Sequence, residues 1–117
     1  MKPMTTPLPE ILEEKLPKIH EICQRHHVRY LWVFGSVLEK EFREDSDIDF
    51  LYEWDRPSIS EGEYLPNLDS CIESLQALFG RKIDFIHYPS LRNPYFIKSV
   101  EATKILLYAK RPEEVPV

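Results

Sequence analysis

Apolar positions change their period several times along the chain, and each change marks an element. Ile19, Ile22, Cys23 and His26 recur at helical spacing and predict a helix over about residues 10–27, in which Pro17 either makes a kink or occupies the first turn. Tyr30-Leu31-Trp32-Val33-Phe34 is an unbroken apolar and aromatic run stopped by Gly35, the pattern of a central strand buried on both faces. Ile48 to Trp54 then alternates, with Ile48, Phe50 and Tyr52 on one face and Asp49, Leu51 and Glu53 on the other. Leu65, Leu68, Ile72, Leu75 and Phe79 step by three and four residues from Pro66 to Gly80, an amphipathic helix whose stripe should lie on the sheet.

A third strand is expected over Lys82 to His87, where Ile83-Asp84-Phe85 repeats the tripeptide Ile48-Asp49-Phe50. Asn93 followed by Pro94 reads as a cap and a first helical residue, opening a short helix through Val100, and Lys104 to Tyr108 closes as a strand. The order helix, strand, strand, helix, strand, helix, strand predicts an α/β (α+β) fold: a mixed sheet of about four strands with helices packed mainly on one face. The whole chain, 1–117, is expected to be one domain with flexible ends at 1–8 and 110–117.

Bulk composition narrows the partners. At 117 residues and 43% apolar content the chain suits one ordinary core. A formal charge of −5 provides no general attraction to nucleic acid or anionic lipid, which makes a polynucleotide the weaker candidate ligand. No apolar run reaches the roughly eighteen residues of a membrane span, and Met1 to Pro9 has no signal-peptide core, so a cytoplasmic location is expected. Cys23 and Cys71 are too few for a disulfide framework and read as reduced, buried packing residues.

The chemistry is concentrated in three short elements. Gly35-Ser36, directly after the central strand, suits close backbone approach to a phosphate, although a strand ending this way is more often a plain turn. In Ser46-Asp47-Ile48-Asp49 the aspartates are two apart and share a strand face. Two charges about 4 Å apart repel by roughly 4 kcal/mol at an effective dielectric of about 20, so a cation between them, or a retained proton, is required. Magnesium suits the arrangement because it binds one or two carboxylates and leaves positions for water and substrate phosphate. Glu44-Asp45 just upstream favour the plainer alternative of a solvated acidic edge. Asp84, inside an otherwise apolar strand, is poorly explained by solvation. If its strand neighbours that of Asp49 with apolar faces aligned, the carboxylates share one face beside a phosphate-cradling turn, a metal-assisted nucleotidyl-transfer site.

Gly35-Ser36, ten intervening residues, Asp47-Ile48-Asp49 and then Asp84 resemble the minimal nucleotidyltransferases of the polymerase-beta superfamily, especially the antitoxins paired with HEPN-domain toxins. The likeness runs from about Ile19 to Tyr108 and includes Asn93-Pro94-Tyr95 and Leu106-Leu107-Tyr108. It implies a polymerase beta-like fold, ATP as substrate and Mg²⁺ held by Asp47, Asp49 and Asp84. Asp84 would also assist deprotonation of the attacking hydroxyl, and Gly35 and Ser36 would hold the phosphates. It further implies a HEPN toxin as partner, silenced by transfer of AMP to a tyrosine or by sequestration. Relatives carry arginine and then glycine shortly after Gly-Ser, where this chain has Val37-Leu38-Glu39-Lys40; Lys40 and Arg43 are the cations within reach of the same oxygens. That departure keeps open a catalytically weak module that only binds a partner. Transfer to a small molecule is a third reading, but relatives of that kind usually add a helical domain that this chain lacks.

His26-His27 does not suit a metal site, since adjacent helical residues point about 100° apart, and a charge role at the helix end is expected instead. Trp32 and Trp54 are expected to pack, and Tyr95-Phe96-Ile97 reads equally as core or as partner surface.

Overall fold

Residues 8–39 and 46–110 are described by the structure, a computed structural model. Lys40, Arg43, Glu44 and Asp45, together with most of the two expected flexible ends, lie outside them. The described elements are α1 (Glu10–Glu13), α2 (Leu16–Arg25), β1 (Val28–Phe34), β2 (Ile48–Trp54), α3 (Tyr64–Phe79), β3 (Ile83–His87), α4 (Pro94–Thr103) and β4 (Ile105–Ala109). The single helix expected over 10–27 is two. Pro17 occupies the first turn of α2, where its missing N–H costs nothing, and the backbone breaks just before it.

The sheet order is β3-β2-β1-β4. β1 pairs antiparallel with β2 and β4, so it is interior as its apolar run requires, and β2 pairs parallel with β3 across the α3 crossover. α3 stops at Gly80, which takes the left-handed conformation (φ 66°) and donates its N–H to Gln76 O at 2.7 Å. α4 starts at Asn93, whose Oδ1 accepts from the N–H groups of Tyr95 (2.9 Å) and Phe96 (3.2 Å).

The main core lies on one sheet face, where Ile19, Ile22 and Cys23 of α2 and Cys71, Leu75 and Phe79 of α3 meet Leu31, Val33, Ile48, Phe50, Tyr52 and Trp54. Tyr52 stacks on Phe85 at 4.1 Å, and the Trp54 indole N–H donates to the Tyr64 hydroxyl at 2.9 Å. Tyr64, rather than Leu65, therefore begins the buried stripe of α3, and Leu65 is 66% exposed. α4 covers part of the opposite face by seating Val100 on Phe34 and Leu51. Burying that valine contributes about 1.5–3 kcal/mol, and Trp32, Ile86, Tyr88 and Leu91 pack against the same cluster.

His26 is buried and bridges two helices: its Nδ1–H donates to Ile22 O (2.8 Å), and its Nε2 accepts from the Ser70 hydroxyl (3.0 Å). Burial lowers its pKa from the ordinary 6.5, so the ring is a neutral link and not the helix-end charge expected. Cys23 and Cys71 are free and buried, and burial pushes the Cys71 thiol up to about 12. No helix among the described residues is long and apolar enough to cross a membrane.

Candidate active site

β1 ends at Phe34, and the chain turns at once into a single 3₁₀ turn, Gly35–Leu38. Gly35 makes the turn possible by adopting φ +82°, a region in which L side chains are strained. Val37 anchors the turn in the main core. The next stretch returns at Ser46, whose carbonyl accepts from the Arg81 guanidinium at 3.0 Å, and β2 begins two residues later. Arg81 was not singled out from sequence. Nothing in its neighbours signals that the residue after a helix stop will hold the start of another strand.

Strand register then places the acids. Phe34 pairs with Asp49, and Asp49 pairs with Asp84, so the row Phe34, Asp49, Asp84 crosses three strands. Parallel pairing of Ile48 with Ile83 and Phe50 with Phe85 sends the apolar partners to the core and both aspartates to the opposite face. The register sets the two carboxyls side by side on that face, close to the Ser36 backbone. Partial burial, the hydrogen bond and charge of Asp84 and the charge of Asp47 push the Asp49 carboxyl from 3.8 up to about 6; the Ser36 N–H opposes the rise.

Of the residues proposed from sequence, Gly35, Ser36, Asp49 and Asp84 are thus gathered at one point. Asp47 stands at the entry to β2, where its carbonyl is 3.5 Å from the Ser36 hydroxyl and its charge acts on Asp49. Among the described residues no three His, Cys, Asp or Glu side chains converge as a ready-made metal cage. The donor set is that of two adjacent carboxylates with a third charge nearby. It fits magnesium, which needs only one or two protein carboxylates and would relieve the repulsion that raises the Asp49 pKa.

Beside this row, on the β4 side of Gly35, opens a cleft of about 850 Å³. Its walls include Phe34, Glu39, Phe96, Thr103 and Lys104. Phe96 lies edge-on to Phe34 at 5.9 Å, while Tyr95 is 85% exposed and takes no part in the core.

A family model described as polymerase beta, nucleotidyltransferase, matches residues 17–113. The chain belongs to this family. A Methanocaldococcus jannaschii protein that carries the provisional name of a protein adenylyltransferase is 38% identical over 97 residues, covering 74% of this chain and 91% of the relative. A solved structure provisionally named a minimal nucleotidyltransferase superposes with a TM-score of 0.64 at 30% identity, covering 82% of this chain and 92% of the other. A chain of the complex between tri-AMPylated Shewanella oneidensis HEPN toxin and its MNT antitoxin matches with a TM-score of 0.56, covering 88% of this chain and 76% of that one. At 12% identity this last likeness concerns the fold alone.

Proposed function

We propose that this nucleotidyltransferase moves AMP from ATP to a hydroxyl on a partner protein, that the partner is a HEPN-type toxin, and that the modification makes this chain the antitoxin. The observation that carries the chemistry is the Asp49–Asp84 pair, set opposite each other on one sheet face by the parallel register and packed against the Gly35 turn. The name of the M. jannaschii relative supports a protein acceptor, and the Shewanella complex supports the class of partner.

Each residue has a distinct task in this reading. The Gly35-Ser36 turn would hold the phosphates, the Ser36 hydroxyl donating to them, with Lys40 and Arg43 as further cations. Asp47, Asp49 and Asp84 would hold Mg²⁺, which when bound supplies charge neutralisation at the phosphates. The acceptor oxygen attacks the α-phosphorus, the bond from that phosphorus to the bridging oxygen of pyrophosphate breaks, and the acceptor proton passes to Asp84. Asp84 lies opposite Asp49 in the parallel register, on the sheet face where the acceptor would stand. Correct alignment of the acceptor is worth roughly 7–11 kcal/mol of barrier. In this reading the partner presents that hydroxyl on its own surface.

The test uses purified protein, labelled ATP, magnesium and the HEPN-type neighbour produced with it. Label should enter the neighbour with wild type and not with the Asp47→Asn/Asp49→Asn variant. Undiminished complex formation and silencing by that variant, with no label from wild type, would establish a binding module instead. Glu39 on the cleft wall, an acid where relatives carry a cation, is the observation that favours that second reading.

A further inference from the structure

Lys104 joins α4 to β4, and its backbone N–H donates to Val100 O at 2.7 Å. β1 and β4 pair with Val33 opposite Ile105. Continuing that register by one residue puts Lys104 beside Phe34, so the row of the acidic pair extends to Lys104, Phe34, Asp49, Asp84 across all four strands. Two inter-strand steps of about 4.8 Å separate the Lys104 and Asp49 backbones, roughly 10 Å. A phosphate chain with its first phosphorus at the carboxylates would reach the lysine if it ran along this row, past Gly35.

The ammonium group is available for such a contact. Among the described residues Lys104 is the sole basic residue lining the cleft, whose walls also include Glu39. Among the described residues the ion pairs are Lys18–Glu21 and Lys110–Asp55, and Lys104 belongs to neither. Its Nζ instead rests over the rings of Trp32 (5.7 Å) and Tyr88 (5.6 Å), which touch each other at 4.9 Å. Such a perch is weak where water has access, so the group can leave it for a phosphate oxygen. Residues 35–39 of the turn carry no cation of their own.

We infer that Lys104 binds the β- and γ-phosphates of the nucleotide and neutralises the departing pyrophosphate, taking from β4 the role that residues 35–39 leave unfilled. This rests on the nucleotidyl-transfer reading above. The test is calorimetric binding of magnesium with ATP, and separately of AMP, to the full chain. Lys104→Met should weaken ATP about tenfold, leave AMP unchanged, and be rescued by Lys104→Arg. Wild-type ATP affinity in Lys104→Met, or equal losses for ATP and AMP, would overturn the inference and leave the proposed reaction standing. ATP affinity that is absent in wild type, or the same in Asp47→Asn/Asp49→Asn, would remove both.

Discussion

Gly35 and Asp49 touch across the β1–β2 pair so closely that a Cβ on Gly35 would run into the Asp49 Oδ2 atom, with Cγ at 3.3 Å behind it. The left-handed φ of +82° adds a second penalty for any other residue. Gly35→Ala should therefore cost about 1–3 kcal/mol of stability through strain. Its effect on catalysis should be larger, because the carboxylate must turn aside to admit the methyl group. A fall in kcat of a hundredfold or more, with a cooperative melt retained, is the expected outcome in labelled-ATP and thermal assays.

Asp49 should make the magnesium-free protein less stable as pH rises. A carboxyl whose folded value is raised from 3.8 to about 6 contributes stability that is fully present below about 3.8 and lost as pH climbs through about 6. The melting temperature of Asp49→Asn minus that of wild type should widen between pH 4 and 7. Because the group keeps solvent contact, the change is about 1 kcal/mol, or roughly 4 °C. Magnesium should raise wild-type stability chiefly above pH 6. A gap that does not change with pH would show that Asp49 carries no extra proton.

Glu39 shares the cleft with Lys104, so an acid there opposes a phosphate tail that enters the cleft. Glu39→Arg should tighten ATP by about tenfold at low salt, with a smaller gain at high ionic strength. Unchanged affinity would show that Glu39 points away from the nucleotide, and the missing arginine would cease to count against catalysis.

His26 joins α2 to α3 far from the acidic row. A histidine with a lowered folded pKa contributes stability present above 6.5 and lost as pH falls below that value. His26→Ala should cost about 2 kcal/mol at pH 7.5 by leaving the Ser70 hydroxyl without its acceptor and opening a void. The deficit should shrink toward pH 5.5, while kcat is unaffected at pH 7.5. Urea denaturation at the two pH values checks both parts.

All four strands and the α3 and α4 helices were legible because their period, Gly80 and the Asn93-Pro94 pair are local signals. The shared face of Asp49 and Asp84 was legible for a different reason, since the same apolar-Asp-apolar tripeptide recurs in two strands and fixes the side on which each aspartate falls. What stayed hidden depends on contacts between distant segments. The neutrality of His26 comes from its burial, its bridge to α3 from Ser70, forty-four positions away, and the perch of Lys104 from two rings on other elements. Leu65 was misplaced because periodicity fits a stripe starting at Tyr64 equally well, and only the Trp54 indole decides between them.

Parallel pairing of β2 with β3 also sets when the protein can work. Gly35, Ser36, Asp47 and Asp49 leave the ribosome early, but Asp84 reaches them only after the whole α3 crossover has been made and docked. Lys104 follows later still, next to the last strand. A nascent chain therefore carries half of its acidic pair and no cleft, so under the reaction proposed above it would be inactive during synthesis. Its acidic pair is complete only once β3 has joined the sheet beside β2.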